Sequence, residues 1–130
     1  MPFVTLKLAA DLDGTETARL QGGLTVLMAE VLGKTAELTA VLIERVPTSG
    51  WTVGAAPVAC AAHLDAKVTQ GTNTAKEKAR FVADAHALIA DVLGRRLALA
   101  TYVVVDEVPA DAWGYGGRTQ ADRAGRASAS

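Results

Sequence analysis

The sequence predicts an α+β fold: two tandem β-α-β units sharing one four-stranded sheet, with two helices on one face and pseudo-two-fold symmetry. Three observations carry this. Apolar residues alternate along short stretches and recur at helical spacing along two longer ones. Glycines and prolines close the same elements in both halves. These marks repeat at a nearly constant offset: Lys7 with Lys67 at 60, Val31-Leu32-Gly33-Lys34 with Val92-Leu93-Gly94-Arg95 at 61, and both Val46-Pro47 with Val108-Pro109 and Trp51 with Trp113 at 62.

The elements follow in order. Phe3-Val4-Thr5-Leu6-Lys7-Leu8 places Val4, Leu6 and Leu8 on one face, the pattern of a half-buried strand. Asp11-Leu12-Asp13-Gly14 is a turn, and Asp13 with Glu16 forms a capping pair. A helix is expected from about Thr15 to Leu32, with Leu20, Leu24, Leu27 and Val31 as its stripe and Gly33 as its stop. Gly22-Gly23 inside it costs about 1 kcal/mol per glycine relative to alanine. Thr39 to Val46 is β-rich and closed by Pro47, and Ser49 to Gly54 is a glycine-bounded excursion carrying Trp51.

The second half repeats the plan. Ala62 to Thr69 alternates, with Leu64, Ala66 and Val68 on one face. Thr74 and Glu77 form a capping box for a helix from about Ala75 to Leu93, striped by Phe81, Ala85, Leu88 and Val92 and ended by Gly94. Thr101 to Val108 is the fourth strand, and Ala112-Trp113-Gly114-Tyr115-Gly116-Gly117 is a second aromatic excursion. One domain is expected over 1–118, in units of about 2–60 and 61–118, with a flexible tail over 119–130. Right-handed crossovers make the strands of each unit parallel. The sheet is then either interleaved, as in a ferredoxin-like fold, or built with each unit's strands side by side; the repeat favours the second.

Composition narrows the function. Thirteen Lys and Arg against fourteen Asp and Glu leave a net charge of -1, without the concentrated positive field that nucleic acid requires. Cys60 is the single cysteine, which rules out an intramolecular disulfide and a cysteine-rich metal site. His63 and His86 lack ligand spacing, so no metal is expected. No basic-then-apolar leader and no apolar run of membrane-spanning length are seen, so the expected setting is the cytoplasm.

The first strand starts directly on Pro2. Removal of Met1 would make the Pro2 nitrogen a secondary amine. Burial among apolar walls and nearby cations lower the pKa of such a group towards neutrality, where it serves as a general base and acid. The other reading is a chemically silent proline after the initiator.

With Pro2 opening the first strand, the glycine-ended helices, and the Trp51-Thr52-Val53-Gly54 and Trp113-Gly114-Tyr115-Gly116-Gly117 segments, the chain resembles the tautomerase superfamily, 4-oxalocrotonate tautomerase in particular. The resemblance implies a cofactor-independent enzyme, assembled as a homotrimer, that moves a proton on a small enol or 2-oxo acid with Pro2 as catalytic group. Only the first unit offers the proline; Ala62 holds the matching place in the second. The family's substrate-handling arginines, in the turn after the first strand and in the second strand, correspond to Leu12 and Thr72 and to Ala40 and Tyr102. Arg118 resembles an arginine of the family's cis-3-chloroacrylic acid dehalogenases, whose water-activating acid has only Gly114 and Tyr115 at its place. A dehalogenase or decarboxylase of a small three-carbon acid, or a non-catalytic trimeric relative, are the alternatives.

The remaining site candidates have two readings each. Arg118 clamps a carboxylate with its planar fork, or is solvated at the head of a basic tail. Trp113, Tyr115 and Tyr102 wall an apolar substrate, or pack subunits together. Lys67, on the sheet face away from the helices, binds substrate or pairs with Asp65.

Overall fold

The computed structural model describes residues 1–94 and 97–129, with side chains through Gly125. Arg95, the expected counterpart of Lys34, and Ser130, the end of the expected tail, lie outside the described residues. The elements are β1 (Phe3–Ala9), α1 (Gly14–Glu30), β2 (Ala40–Arg45), β3 (Thr52–Val53), β4 (Ala56–Pro57), β5 (Ala61–Thr69), α2 (Ala75–Leu93), β6 (Tyr102–Val108), β7 (Gly114–Tyr115), β8 (Arg118–Thr119) and α3 (Gln120–Ala129).

The main sheet has the order β2-β1-β5-β6. β1 and β2 pair in parallel, as do β5 and β6, while β1 and β5 pair antiparallel at the centre. Each unit therefore keeps its strands side by side, and the interleaved ferredoxin-like order is excluded. The central register sets Leu6 opposite Leu64, with Phe3 opposite Lys67 and Ala9 opposite Ala61.

One face of the sheet is covered by α1 and α2. Val4, Leu6 and Leu8 of β1 and Leu64, Ala66 and Val68 of β5 are fully or almost fully buried beneath Leu20, Leu24, Met28, Phe81, Ala85 and Ile89. Burial of a side chain of Phe81's size contributes about 2–3 kcal/mol. The helix stripes differ in detail from expectation: Met28 and Ile89 take the deepest places, and Leu27, Leu88 and Val92 pack at the edges. Both capping boxes form, with Glu16 N–H donating to Asp13 at 2.7 Å and Glu77 N–H to Thr74 at 3.1 Å. Each is worth about 1 kcal/mol.

Both aromatic excursions are two-stranded hairpins, β3–β4 and β7–β8. The tail expected from Thr119 is different: it is helical over Gln120–Ala129. The Thr119 hydroxyl caps it, accepting from Asp122 N–H at 3.0 Å, and Ala121 N–H donates to the Ala110 carbonyl at 2.9 Å. Alanine, glutamine and arginine are good helix formers, so composition that resembles a frayed end also suits a short docked helix. Among the described residues, no helix is long and apolar enough to cross a membrane.

Candidate active site

The start of β1 reaches the junction between the two units. Pro2 is buried, and its carbonyl accepts from Ala40 N–H at 3.1 Å, which pins the chain start to the head of β2. A cavity of about 80 Å³ beside it is lined by Met1, Pro2, Lys34, Val68, Thr69, Thr72 and Trp113. Met1 and Lys34 come with Pro2 from the first unit; the other four come from the second.

Each wall has a local cause. Gly33 adopts φ +69°, a left-handed conformation that suits glycine, and turns the chain at the end of α1. Its N–H closes on the Ala29 carbonyl at 3.1 Å, and Lys34 N–H on that of Met28 at 3.0 Å. The side chain of Lys34 is thereby sent to the chain start, where its ammonium donates to the Thr72 hydroxyl at 2.8 Å. Thr72 in turn donates to the Thr69 carbonyl at 2.6 Å. The Trp113 indole N–H donates to the Thr69 hydroxyl at 3.2 Å, holding the ring over the end of β5.

The hairpin that carries Trp113 depends on close backbone approach. A Cβ on Gly114 would stand 1.9 Å from the Arg118 carbonyl oxygen, so only glycine fits. Gly116 and Gly117, at φ +62° and +79°, make the turn.

The site is electropositive. The amine of Met1 is held below its ordinary value of 8.0, by burial first and then by Lys34 and Arg123. Burial likewise lowers the Lys34 ammonium from 10.5, against the opposing pull of Glu77 and Glu107. An amine placed here is biased towards its unprotonated form.

Of the residues expected from sequence, Pro2 and Trp113 meet at this cavity. Arg118 stands on the other side of Trp113, in a separate surface groove with Asp111 and Thr119, and its Nε donates to Asp122 at 2.7 Å. Its Nη2 is buried without a hydrogen-bond partner. Lys67 lies on the open sheet face and pairs with Asp65 and Asp106. Tyr102 is 64% exposed at the far end of the sheet, beside His63 with ring centroids 6.2 Å apart. Within one chain neither joins Pro2. Lys34, Thr69 and Thr72 were not among the expected site residues. The repeat mark Gly33-Lys34 was the available signal for the first of them, because a left-handed glycine at a helix end aims the following residue.

The matching place in the second unit is filled. Ala61 and Ala62 are wholly buried, and Trp51, Val58 and Ala98 pack around Ala61 and Ala9. Val58 N–H donates to the Trp51 carbonyl at 3.2 Å, just as Gln120 N–H donates to that of Trp113 at 2.9 Å. There the chain runs on through residues 58–60, so the nitrogen at this place is a peptide nitrogen and no amine arises.

Comparison with known proteins agrees with this architecture. A family model described as "Tautomerase enzyme" matches residues 63–123. "Probable tautomerase K2" of Dickeya dadantii (strain 3937) is 35% identical over 65 residues, covering 50% of this chain and 96% of that protein. The crystal structure of native fused 4-OT superposes with a TM-score of 0.78 at 25% identity, over 92% of this chain and 97% of that one. The "F6 fused 4-OT wild type asymmetric trimer" superposes with a TM-score of 0.81 at 23% identity, over 93% and 98%. The chain belongs to the tautomerase family of isomerases.

Proposed function

We propose that this chain, after removal of Met1, catalyses keto–enol tautomerisation of a small enol or 2-oxo acid with the Pro2 nitrogen as general base and acid. The observation that carries the reading is the burial of Pro2 at a cavity whose walls include the Lys34 ammonium. Loss of Met1 moves the free amine one residue inward, from an already electropositive, desolvated place to a more buried one.

In the reaction, the Pro2 nitrogen takes the enol hydroxyl proton. The O–H electron pair becomes the C=O bond, and the C=C pair takes the proton back from the prolinium at carbon. Atoms and electrons balance without a cofactor. Lys34 binds the carboxylate or the oxygen on which negative charge grows, and Trp113 supplies an apolar wall. Hydration chemistry needs a further general base to activate water, and none of the residues lining the cavity is a carboxylate or a histidine.

A homotrimer is part of the reading. The open sheet face carries Phe3, Leu42 and Tyr102, 40%, 45% and 64% exposed, and a relative with this fold is described as a trimer. Lys67 and Tyr102 lie on that face, where subunit contacts would bury them. Light scattering that reports a stable monomer contradicts it.

Intact mass spectrometry first establishes whether Met1 is absent. Phenylenolpyruvate and 2-hydroxymuconate ketonisation is then followed for the wild type and Pro2→Ala. A loss of roughly 100-fold or more is expected on substitution. Equal rates in both proteins, or retention of Met1 in active enzyme, overturn the proline mechanism.

A further inference from the structure

α3 leaves the second hairpin, and the side chain of its first residue reaches the start of the chain. Gln120 and Arg123, three residues apart, share one face of this helix. The Gln120 side-chain amide donates to the Met1 carbonyl at 3.4 Å. Arg123 is fixed by Nε and Nη2, which donate to the Tyr115 carbonyl at 3.3 and 2.9 Å, and its guanidinium sits 3.9 Å from the centroid of the Tyr115 ring. Its charge is also felt at the Met1 amine.

The Met1 carbonyl is bonded directly to the Pro2 nitrogen, its oxygen two bonds away, of about 1.3 and 1.2 Å. Removal of Met1 opens the nitrogen's lone pair at the place this carbonyl occupies. A proton that passes between the nitrogen and a substrate crosses that same place. The groups now around Met1 are therefore the groups a substrate meets.

We propose that the α3 face carrying Gln120 and Arg123 completes the Pro2 site: the Gln120 amide donates to a substrate oxygen, and Arg123 is a fixed positive charge that disfavours the prolinium. This rests on Pro2 being the base. Arg123 acts as a positioning residue, because its fork is tied to Tyr115 and its effect reaches the nitrogen through space. Among the described residues, the cations that act on the chain-start amine are Lys34 and Arg123. Lys34 faces it from the end of α1, with Glu77 of α2 and Glu107 of β6 acting on Lys34, and Lys78 pairing with Glu107. Lys67 of β5 is paired with Asp65 and Asp106, and Arg118 with Asp122. From α3, Arg123 is the charge that acts on the chain-start amine among the described residues. In the second unit Val58 stands where Gln120 stands here, so that place lacks the donor.

The test uses full-length protein shown by intact mass to lack Met1, with ¹⁵N-labelled proline. The Pro2 nitrogen is titrated by NMR, and KM and kcat are measured, in wild type, Gln120→Ala, Arg123→Gln and Arg123→Lys. The Trp113 indole N–H signal reports whether the hairpin is intact. Gln120→Ala is expected to raise KM roughly five-fold, in line with one lost hydrogen bond, with the Pro2 midpoint unmoved. Arg123→Gln is expected to shift the midpoint and the acid limb of kcat/KM upward, and Arg123→Lys to restore them. Unchanged KM in the first and an unchanged midpoint in the second, with the indole signal intact, overturn the proposal. An effect in one arm alone withdraws the role of the other residue. A wild-type Pro2 that titrates like an exposed amino-terminal proline instead removes the proline mechanism, a separate result.

Discussion

The Lys34 ammonium donates to the Thr72 hydroxyl across 2.8 Å, joining the end of α1 to the turn after β5. Thr72 occupies one of the turn positions at which the sequence resemblance implies an arginine. A cation reaches the cavity all the same, brought by a different element. The first unit supplies this charge, and the second supplies the Thr72 hydroxyl that holds it in place.

Lys34→Ala is expected to lower kcat/KM by roughly 10- to 100-fold, with KM taking much of the change, as for loss of a charge-assisted contact. Thr72→Val, which keeps the cation and removes its partner, is expected to cost less than ten-fold. Steady-state kinetics on phenylenolpyruvate, with circular dichroism to confirm folding, measure both. Equal activity of Lys34→Ala and wild type removes Lys34 from the site.

Gly22 and Gly23 look alike in the sequence, yet they should respond in opposite ways to alanine. Gly22 has open space around an added Cβ, whereas one on Gly23 would come 2.7 Å from a Leu88 methyl where α1 meets α2. Gly22→Ala is expected to stabilise by about 1 kcal/mol from helix propensity. Gly23→Ala should give less than this or destabilise, because Leu88 has to move. Urea denaturation midpoints of the two variants decide it.

Gly114→Ala should abolish the β7–β8 pairing, since the new methyl would overlap the Arg118 carbonyl. Trp113 then loses its hold on Thr69. The expected result is loss of the indole N–H signal from its hydrogen-bonded position, together with most of the activity. An unchanged indole signal contradicts this account of the hairpin.

Glu107 accepts from Lys78 and from Gly71 N–H, and these contacts hold its carboxyl below the usual 4.5. A depressed carboxylate binds fewer protons folded than unfolded, so its stabilisation is complete above 4.5 and is lost as pH falls through the folded-state value. Glu107→Gln is therefore expected to flatten the loss of stability below pH 4.5. Urea titrations at pH 6 and pH 3 measure this; an unaltered difference between the two pH values contradicts it.

Alternation in Phe3–Ala9 and Ala61–Thr69, the two capping boxes and the repeated Gly, Pro and Trp marks determined four main strands, two covering helices and their tandem order. These are local signals, written in neighbouring residues, and period two or period 3.6 reads them directly. They also picked out Pro2 and Trp113, one as the first residue of a strand and the other as the mark of a hairpin. Tertiary structure decided what stands around Pro2. Lys34 and Thr72 are 38 positions apart, and Gln120 and Met1 119. Such contacts arise from the antiparallel β1–β5 seam and the docking of α3, which no periodicity encodes. The same packing set Trp51 and Val58 against Ala61 in the second unit, where the chain is continuous and offers no amine.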